Sequence, residues 1–274
     1  MWRAIADQHC EFPLLVEAQL QLSDRIAPFK VEPNDKTRSY DPEFEEDALL
    51  AAAVGVPLYC DETVTVRGSS KSPLGELAIV AAVAPETLSA VRSMFLSANC
   101  KAGNPRPDVV QQIISILGED LRDRLQWTEQ ELAPNGFAVI HADGKQLTTA
   151  PGRRRIGLHF DSFEGGDVRA RNNTRNRISL NIGSYPRFVL VVLRTCESLS
   201  RTLSPDSRVT LPELQKRVVA LARSDEGLRG LRVRVNPGEF YGLATENLLH
   251  DGATTPGAGR DITFTLRGDF RLRG

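Results

Sequence analysis

The spacing of apolar residues changes near the middle of the chain. Upstream of Pro134, several segments place apolar residues three or four positions apart, as on one face of a helix. Downstream of Gly136, short alternating or continuous apolar segments follow one another between Gly, Pro and Asn turns. The pattern predicts a helix-rich N-terminal region, 1–134, that packs on a β-rich core, 135–274, within one compact domain.

Three helices are expected in the N-terminal region. The Ala- and Leu-rich segment 47–56 gives the first, and the segment 85–99, with apolar residues at helical spacing, gives the second. Asp108 is a suitable N-cap for the third, whose apolar stripe continues as far as Leu125. A short strand is expected at 62–66, between the first two helices.

The core region carries a series of short strand signals and a single amphipathic helix, 211–223. The predicted strands span 137–140, 156–160, 177–183, 188–193, 232–235, 239–243 and 262–266. Many short strands separated by turns favour a double-stranded β-helix, the jelly roll, in which two sheets face each other. The predicted fold class is therefore mainly β, with a helical N-terminal part and a jelly-roll core flanked by helices.

Composition limits the classes of function. The chain has 274 residues, of which 41% are hydrophobic and 25% are charged, as in an ordinary globular protein. Its formal net charge is −1, so we expect neither nucleic acid nor an anionic membrane as a partner. No apolar run approaches the roughly 20 residues of a membrane-spanning helix, and residues 1–13 lack the apolar stretch of a secretory signal.

The cysteines are spaced widely and irregularly, at Cys10, Cys60, Cys100 and Cys196. The sequence has no CxxC pair, which argues against a thiolate zinc site, and a disulfide framework is not expected in a chain of this length. A reducing, cytoplasmic location is the simplest expectation.

His159 and Asp161 form the most informative short motif. Residues i and i+2 of a strand point to the same face, so both side chains can bind one metal ion. His250 lies far downstream, and a jelly roll can bring such distant strands together. Two imidazoles and one carboxylate on one face of an ion form the facial triad that suits non-haem Fe(II), although Zn(II), Mn(II) and Co(II) also accept these ligands.

Arg260 follows His250 in another alternating segment and has the same parity as Ile262. A guanidinium among apolar neighbours at the base of a barrel favours a carboxylate partner, which its planar fork can bind through two hydrogen bonds. The order of His-x-Asp, distal His and Arg resembles the Fe(II)/2-oxoglutarate-dependent oxygenase superfamily. The resemblance covers roughly 135–274.

This resemblance implies an enzyme that uses Fe(II), 2-oxoglutarate and dioxygen to hydroxylate a substrate or close a ring at an unactivated C–H bond. His159, Asp161 and His250 are then the iron ligands, and Arg260 binds the distal carboxylate of 2-oxoglutarate. The family often has Ser two residues after this Arg, whereas Ile262 stands there and the first hydroxyl belongs to Thr263.

The strand predicted at 177–183 has a polar face made of Arg177, Ser179 and Asn181. This face could line the cavity and contact 2-oxoglutarate. An outward, solvated sheet surface is an equally good interpretation of the same alternation.

The segment 240–252 resembles the distal-histidine region of bacterial oxygenases that tailor small secondary metabolites, as in antibiotic biosynthesis. Tyr241, Thr245 and Asn247 are the candidate substrate-binding residues, although a turn with a helix cap would explain the polar ones. The polar segment 165–176 is expected to be a mobile loop beside the site. These polar groups favour a polar small molecule, such as an amino acid or an aminoglycoside-like metabolite.

Two other classes of function stay open. A cupin-like isomerase or hydrolase could use the triad with Zn(II) or Mn(II) and without 2-oxoglutarate, in which case Arg260 would bind substrate. A non-enzymatic binding module would make the triad accidental. His141 is expected to be structural or to lie at the cavity edge, and His9 to be incidental. The oligomeric state is not indicated by the sequence.

Overall fold

The computed structural model describes residues 2–5, 10–11, 14–17, 19–20, 25–36, 40–53, 64–66, 77–97, 106–127, 132–140, 144–149, 154–165, 167–203, 209–224, 227–257 and 259–273. Some of the predictions fall outside these residues, namely those for His9, Cys60, Cys100, His141 and the ends of the segments 47–56 and 62–66.

The first half of the chain forms strands β1 Trp2–Ile5, β2 Leu14–Glu17, β3 Ile26–Pro33, β4 Phe44–Ala53, β5 Val64–Val66, β6 Ala78–Ala82, β7 Leu125–Gln126 and β8 Ala133–Ile140. The second half forms β9 Arg155–Gly157, β10 Asn176–Asn181, β11 Arg187–Thr195, β12 Leu228–Val235, β13 Glu239–Leu243, β14 Leu248–Thr254, β15 Asp261–Gly268 and β16 Arg271–Leu272. The α-helices are α1 Pro85–Ser97, α2 Pro107–Leu121, α3 Cys196–Leu203 and α4 Leu211–Arg223, and a 3-10 helix spans Val168–Asn173.

Two sheets dominate the fold. The larger has eight strands in the order β5-β1-β2-β6-β13-β10-β15-β8, and the smaller has six in the order β14-β11-β12-β3-β4-β9. The strands of the core pair in a nested way: β8 with β15, β10 with β13 and β11 with β12. Just after β9, His159 pairs with His250 of β14. Such nesting is a long hairpin rolled onto itself, so the predicted jelly-roll core is confirmed.

Alternation along the strands separates three apolar cores. Val191 and Val233 of the smaller sheet meet Tyr241 of the larger sheet between the two sheets. The outer face of the larger sheet carries Ile178 and Phe264, which pack under α1 and α2. The outer face of the smaller sheet packs in the same way under α3 and α4. Each strand therefore sends one parity of side chains to the interior and the other to a helix layer.

The N-terminal part contains more strand than predicted. Residues 47–53, which were expected to be helical, belong to β4, and β4 pairs with β3 from Pro33 to Phe29. Ala and Leu favour a helix in isolation. In the fold, however, β4 extends the smaller sheet and buries Ala48 and Leu49, so tertiary pairing overrides the local preference. The prediction of a helix at 47–56 was wrong for every residue that the structure describes.

The other helix predictions fare better. α1 and α2 confirm the second and third predicted helices, although α2 ends at Leu121 and Leu125 lies in β7. α4 has the predicted bounds and starts with a capping box between Thr210 and Glu213. α3 was not predicted, because its eight residues are mostly polar. Among the residues described, no helix combines the length and apolar character that a bilayer crossing requires.

Candidate metal centre

The two histidines of the predicted triad face each other across adjacent strands. The His159 N–H donates to the carbonyl of His250, and the His250 N–H donates to the carbonyl of His159, each at 3.0 Å. Their ring centroids are 4.8 Å apart. The Asp161 N–H donates to the carbonyl of Thr245 at 2.9 Å, which fixes the chain two residues beyond His159. The strand pairing and this anchor bring three chemically suitable side chains to one place.

The ligand atoms of the triad are close enough to share one ion. All lie within 4.8 Å of one another. Nε2 of His159 is 3.6 Å from Oδ1 of Asp161, and Nε2 of His250 is 3.9 Å from Oδ2 of Asp161. Metal–ligand bonds of about 2.0–2.2 Å allow two ligand atoms of one ion to be at most about 4.4 Å apart. Both separations from Asp161 fit, and a pair at the 4.8 Å limit would have to close by a few tenths of an ångström when the ion binds.

Hydrogen bonds on the far side of each ring fix the imidazole tautomers. His159 Nδ1 is 2.9 Å from the Gly157 carbonyl, and His250 Nδ1 is 3.0 Å from the Leu248 carbonyl. Because a carbonyl only accepts, each Nδ1 carries the hydrogen and each Nε2 keeps its lone pair for a metal. Two neutral imidazoles and one carboxylate fit Fe(II), and the donor set also accepts other divalent ions.

Burial and neighbouring charges shift the ionisation of the triad. Burial lowers the pKa of His250 to about 3, so this ring is neutral and available as a ligand. Burial also disfavours the charged form of His159, but the carboxylates of Asp161 and Asp251 and the Gly157 carbonyl together outweigh this effect and raise the His159 pKa. For Asp161, burial opposes ionisation, yet the His159 imidazole and the other charges around the carboxylate hold its pKa well below the usual range.

Arg177 is the basic partner of the metal-binding carboxylate. Its Nη2 donates to Oδ2 of Asp161 at 2.6 Å. A charge-assisted bond of this length holds the carboxylate in one rotamer and leaves Oδ1 directed toward His159. Arg177 was predicted to contact 2-oxoglutarate, whereas the structure places its guanidinium on Asp161.

Gly157 allows the strand that carries His159 to approach β4. It has a φ of 69°, and an added Cβ would lie 2.3 Å from the carbonyl oxygen of Leu49. The Leu158 N–H donates to that same carbonyl at 2.7 Å. A side chain at position 157 would therefore push the chain before His159 away from β4 and break the hydrogen bond between Leu158 and Leu49.

The interior faces of β10 and β15, two strands of the larger sheet, are polar. Arg177, Ser179 and Asn181 have the parity opposite to Ile178 and Leu180, which face the helix layer. On β15 the interior parity likewise carries polar residues, namely Asp261, Thr263, Thr265 and Arg267. Ser179 Oγ and Thr265 Oγ1 are 2.8 Å apart across this face. Of the two interpretations of the segment 177–183, the structure therefore favours the cavity-lining one.

Arg260 has the parity of the helix-facing side of the larger sheet. It is exposed, precedes β15 and shares the parity of Ile262, and Ile262 packs against the helix-facing core. The sequence prediction correctly paired Arg260 with the apolar parity but wrongly assumed that this parity faces the barrel interior. The assignment of Arg260 to the distal carboxylate of 2-oxoglutarate therefore remains a prediction, which the exposed position of Arg260 does not favour.

Arg187 is an interior cation that the sequence did not point to. It begins β11 on the same parity as Val189 and Val191, which belong to the core between the sheets. Its side chain is buried, with Nη1 3.3 Å from Oδ2 of Asp261 and Cζ 5.7 Å from the centroid of the Tyr241 ring. Its Nε is buried without a hydrogen-bond partner among the described residues.

Gly252 shows the direction in which Arg187 extends. Gly252 lies two residues beyond His250 on β14, and a Cβ added to it would be 2.7 Å from Nη2 of Arg187. Arg187 itself pairs with Thr254. The guanidinium therefore extends along β14 from Thr254 toward His250 and lies beside Gly252. Gly252 is two residues from His250, a distance of about 6–7 Å along the strand.

The remaining predicted site residues are buried. Asn181 donates through Nδ2 to the carbonyls of Tyr185 and Val235, so its amide serves the backbone. Asn247 Oδ1 accepts the Cys196 N–H at 3.1 Å, so this side chain also holds the backbone at the start of α3. The other three are also buried: Tyr241 beside Arg187, Thr245 at the Asp161 anchor, and Thr263 on the interior face of β15.

The segment 165–176 is more ordered than a mobile loop. It contains the 3-10 helix, whose Arg171 is among the largest fully buried side chains. Arg171, Arg267 and Glu246 form a buried ion network next to Asp161. Sequence parity could have placed Arg267 with Thr263 and Thr265, but no sequence signal indicated that Arg171 turns inward.

No protein-family model matches the chain, and no curated protein matches it. Among solved structures, the chain is similar to the crystal structure of the Kdo hydroxylase KdoO, a non-haem Fe(II) α-ketoglutarate-dependent dioxygenase in complex with cobalt(II). The TM-score is 0.43 with 11% sequence identity, covering 72% of this chain and 81% of that chain. At this distance the similarity does not identify an activity, which has to be inferred from the site itself.

Proposed function

We propose that the protein is a non-haem dioxygenase that uses Fe(II), 2-oxoglutarate and dioxygen to oxidise an unactivated C–H bond of a polar small molecule. The observation that carries this proposal is the triad inside a jelly roll. One ligand atom from each of His159, Asp161 and His250 lies within 4.8 Å of the other two. Three protein ligands leave the other positions of an ion open, as this chemistry requires.

Iron and 2-oxoglutarate, when bound, would supply the oxidising chemistry, with succinate and carbon dioxide as the products of the co-substrate. The protein's own residues bind and orient. His159, Asp161 and His250 would hold the metal, and Arg177 keeps the Asp161 carboxylate in one rotamer. The buried surroundings of His250 and Asp161 limit the access of water to the metal.

We assign the distal carboxylate of 2-oxoglutarate to Arg187. A carboxylate bound inside a protein needs a cation with free donors, and Arg187 has a buried, unpartnered Nε among the described residues. Its guanidinium passes over Gly252, where a missing side chain leaves the way toward His250 open. Tyr241, beneath the guanidinium, restricts the directions in which it can move. Thr263, two residues beyond Asp261 on the same face, offers a nearby hydroxyl.

The Arg187–Asp261 ion pair supports a second candidate function. Asp261 already provides Arg187 with a counter-ion at 3.3 Å, and burial raises the pKa of Asp261 although the Arg187 charge lowers it. If this pair stays closed, Arg187 is not available to bind 2-oxoglutarate. The triad would then serve a cupin-like isomerase or hydrolase that uses a divalent metal alone.

Anaerobic loading with Fe(II), followed by measurement of succinate formed from 2-oxoglutarate under air, separates the two functions. Wild type should convert 2-oxoglutarate slowly even without its substrate. Asp161→Ala should abolish this turnover, and Arg187→Gln should raise the 2-oxoglutarate concentration needed for half-maximal rate. Arg260→Ala is the matched control and should behave as wild type. A wild type that forms no succinate and shows no charge-transfer band with 2-oxoglutarate would support the metal-only function instead.

We further propose that the substrate is polar, such as an amino acid or an aminoglycoside-like metabolite of a biosynthetic pathway, and that it is hydroxylated or cyclised. The support is the ion pair between Arg175 and Glu164, which follow Asp161 in the sequence. Their side chains are 36% and 23% exposed, respectively. These groups offer donors and acceptors to a polar ligand. A panel of such compounds should stimulate succinate formation, and stimulation by fatty acids or terpenes alone would contradict the assignment.

A further inference from the structure

A buried ion network lies directly behind the metal-binding carboxylate. Its centre is Glu246, which is fully buried. Arg171 Nη1 is 3.3 Å from Oε2 of Glu246, and Arg267 Nη2 is 2.8 Å from Oε1. The side chains of both arginines are almost completely buried as well. One carboxylate therefore serves two buried guanidinium groups.

Glu246 also fixes the chain that follows Asp161. Its Oε1 accepts the N–H of Phe163 at 2.8 Å and the N–H of Glu164 at 3.3 Å. Backbone donors in a segment without regular structure are satisfied here by a side chain from the turn between β13 and β14. The path of the chain after the metal ligand thus depends on this carboxylate.

Arg171 connects the network to Asp161 itself. Its Nη1 donates to the carbonyl of Asp161 at 2.6 Å and to the carbonyl of Glu246 at 2.5 Å. The backbone of Asp161 is therefore held at its N–H by Thr245, at its carbonyl by Arg171, and two residues later by Glu246.

The cost of such burial argues for a positioning function. Arg177 and Arg267 occupy directly opposite positions on β10 and β15, where like charges repel. A buried ion network of this kind contributes little net stability compared with apolar packing, because each charge loses its hydration. Its effect is instead to define the position of the groups that it contacts.

We propose that Glu246 is a positioning residue for the metal centre: through Arg171 and the 163–164 backbone it holds Asp161 in the orientation that binds the ion. This inference rests on the metal site of the proposed function and does not require 2-oxoglutarate. Glu246 lies outside the coordination sphere and acts on the ion only through Asp161.

The test is the affinity and absorption spectrum of Co(II) bound to the full chain, with Glu246→Gln compared with wild type. We expect an affinity lower by about 10–100-fold, as for partners that orient metal ligands, and a changed d–d spectrum at saturating Co(II). Glu239→Gln is the matched control, because Glu239 also forms a buried ion pair, with Arg25 at 2.6 Å, but at the start of β13 and away from the triad. Its variant should lose stability and keep wild-type Co(II) binding.

Glu246→Asp keeps the charge while withdrawing the carboxylate from the 163–164 backbone, and provides a second variant if Glu246→Gln does not fold. An intermediate loss of affinity is expected from it. Wild-type affinity and spectrum in a folded Glu246 variant would overturn the inference while leaving the metal site intact. Equal Co(II) binding by wild type and Asp161→Ala would overturn the metal site and the inference together. The comparison decides the inference whether or not 2-oxoglutarate is consumed.

Discussion

Two glycines set the space around the metal ligands. Gly157 lets the backbone of Leu49 lie close against the chain just before His159. Gly252 leaves room for the Arg187 guanidinium near His250. In the first case an added side chain would meet backbone, which cannot move cheaply. In the second it would meet the ends of flexible side chains, which can. The two positions should therefore respond differently to the same Gly-to-Ala change.

Gly157→Ala should destabilise the protein by about 2–3 kcal/mol, because a positive φ is strained for Ala and the new Cβ would strike the Leu49 carbonyl. Urea unfolding of the metal-free protein measures this change. Gly118→Ala is the control, since a Cβ there makes an ordinary 3.5 Å contact with Trp127 inside a helix. That variant should be as stable as wild type or slightly more so. Equal effects of the two changes would contradict the strained approach at Gly157.

Gly252→Ala should leave the fold and the metal affinity intact and weaken 2-oxoglutarate binding by roughly tenfold, or about 1.4 kcal/mol. The reason is that its Cβ would lie 2.7 Å from Nη2 of Arg187 and displace the guanidinium. Anaerobic titration of the Fe(II) protein with 2-oxoglutarate, followed by absorption, gives the dissociation constant. Unchanged binding would remove Arg187 from the co-substrate site.

Whole elements were predictable where local sequence and tertiary context agree. α4 has an N-terminal cap and one apolar stripe that meets the smaller sheet, so its bounds follow from the sequence. Alternation alone predicts that His159 and Asp161 share one face, whereas the approach of His250 depends on the pairing of distant parts of the jelly roll. β4 was mispredicted, and the apolar parity of Ile262 was assigned to the wrong face, because strand pairing and the interior face of a sheet depend on distant strands. The same holds for Arg187, whose neighbours come from β13, β14 and β15.

Removal of the α4 cap tests how far this helix supports the site. Thr210→Ala should cost about 1 kcal/mol of unfolding free energy, since the capping box with Glu213 would be lost. α4 contacts the segment that carries His159 through Gln215, whose Nε2 is 3.5 Å from the Leu158 carbonyl. This distance is too long for a strong hydrogen bond. Metal affinity, measured by Co(II) titration, should therefore stay at the wild-type value. A parallel loss of affinity would show that α4 positions His159.

For the molecule as a whole, the metal site joins parts of the chain that are far apart in sequence. His159 follows β9 and His250 lies in β14, so an ion bound by both can be held only by the folded chain. Unfolding would release the ion, and binding energy is then added to folding stability.

Metal loading should therefore raise the melting temperature. Free metal at 100 times its dissociation constant adds about 2.7 kcal/mol, which corresponds to roughly 5–10 °C for a chain of this size. Differential scanning fluorimetry of wild type with and without Co(II) measures the shift. Asp161→Ala should show little or none of it, and an equal shift in that variant would place the bound ion elsewhere.

The nested pairing of the strands also predicts an order of folding. The β11–β12 hairpin closes the shortest connection among the four nested pairs, and the pair of β8 with β15 closes the longest. Loop closure is slower and costs more entropy as the connection lengthens, so the pairing of His159 with His250 follows that of β10 with β13. A site completed this late is absent from the folding transition state. Bound metal should consequently slow unfolding while leaving the folding rate almost unchanged.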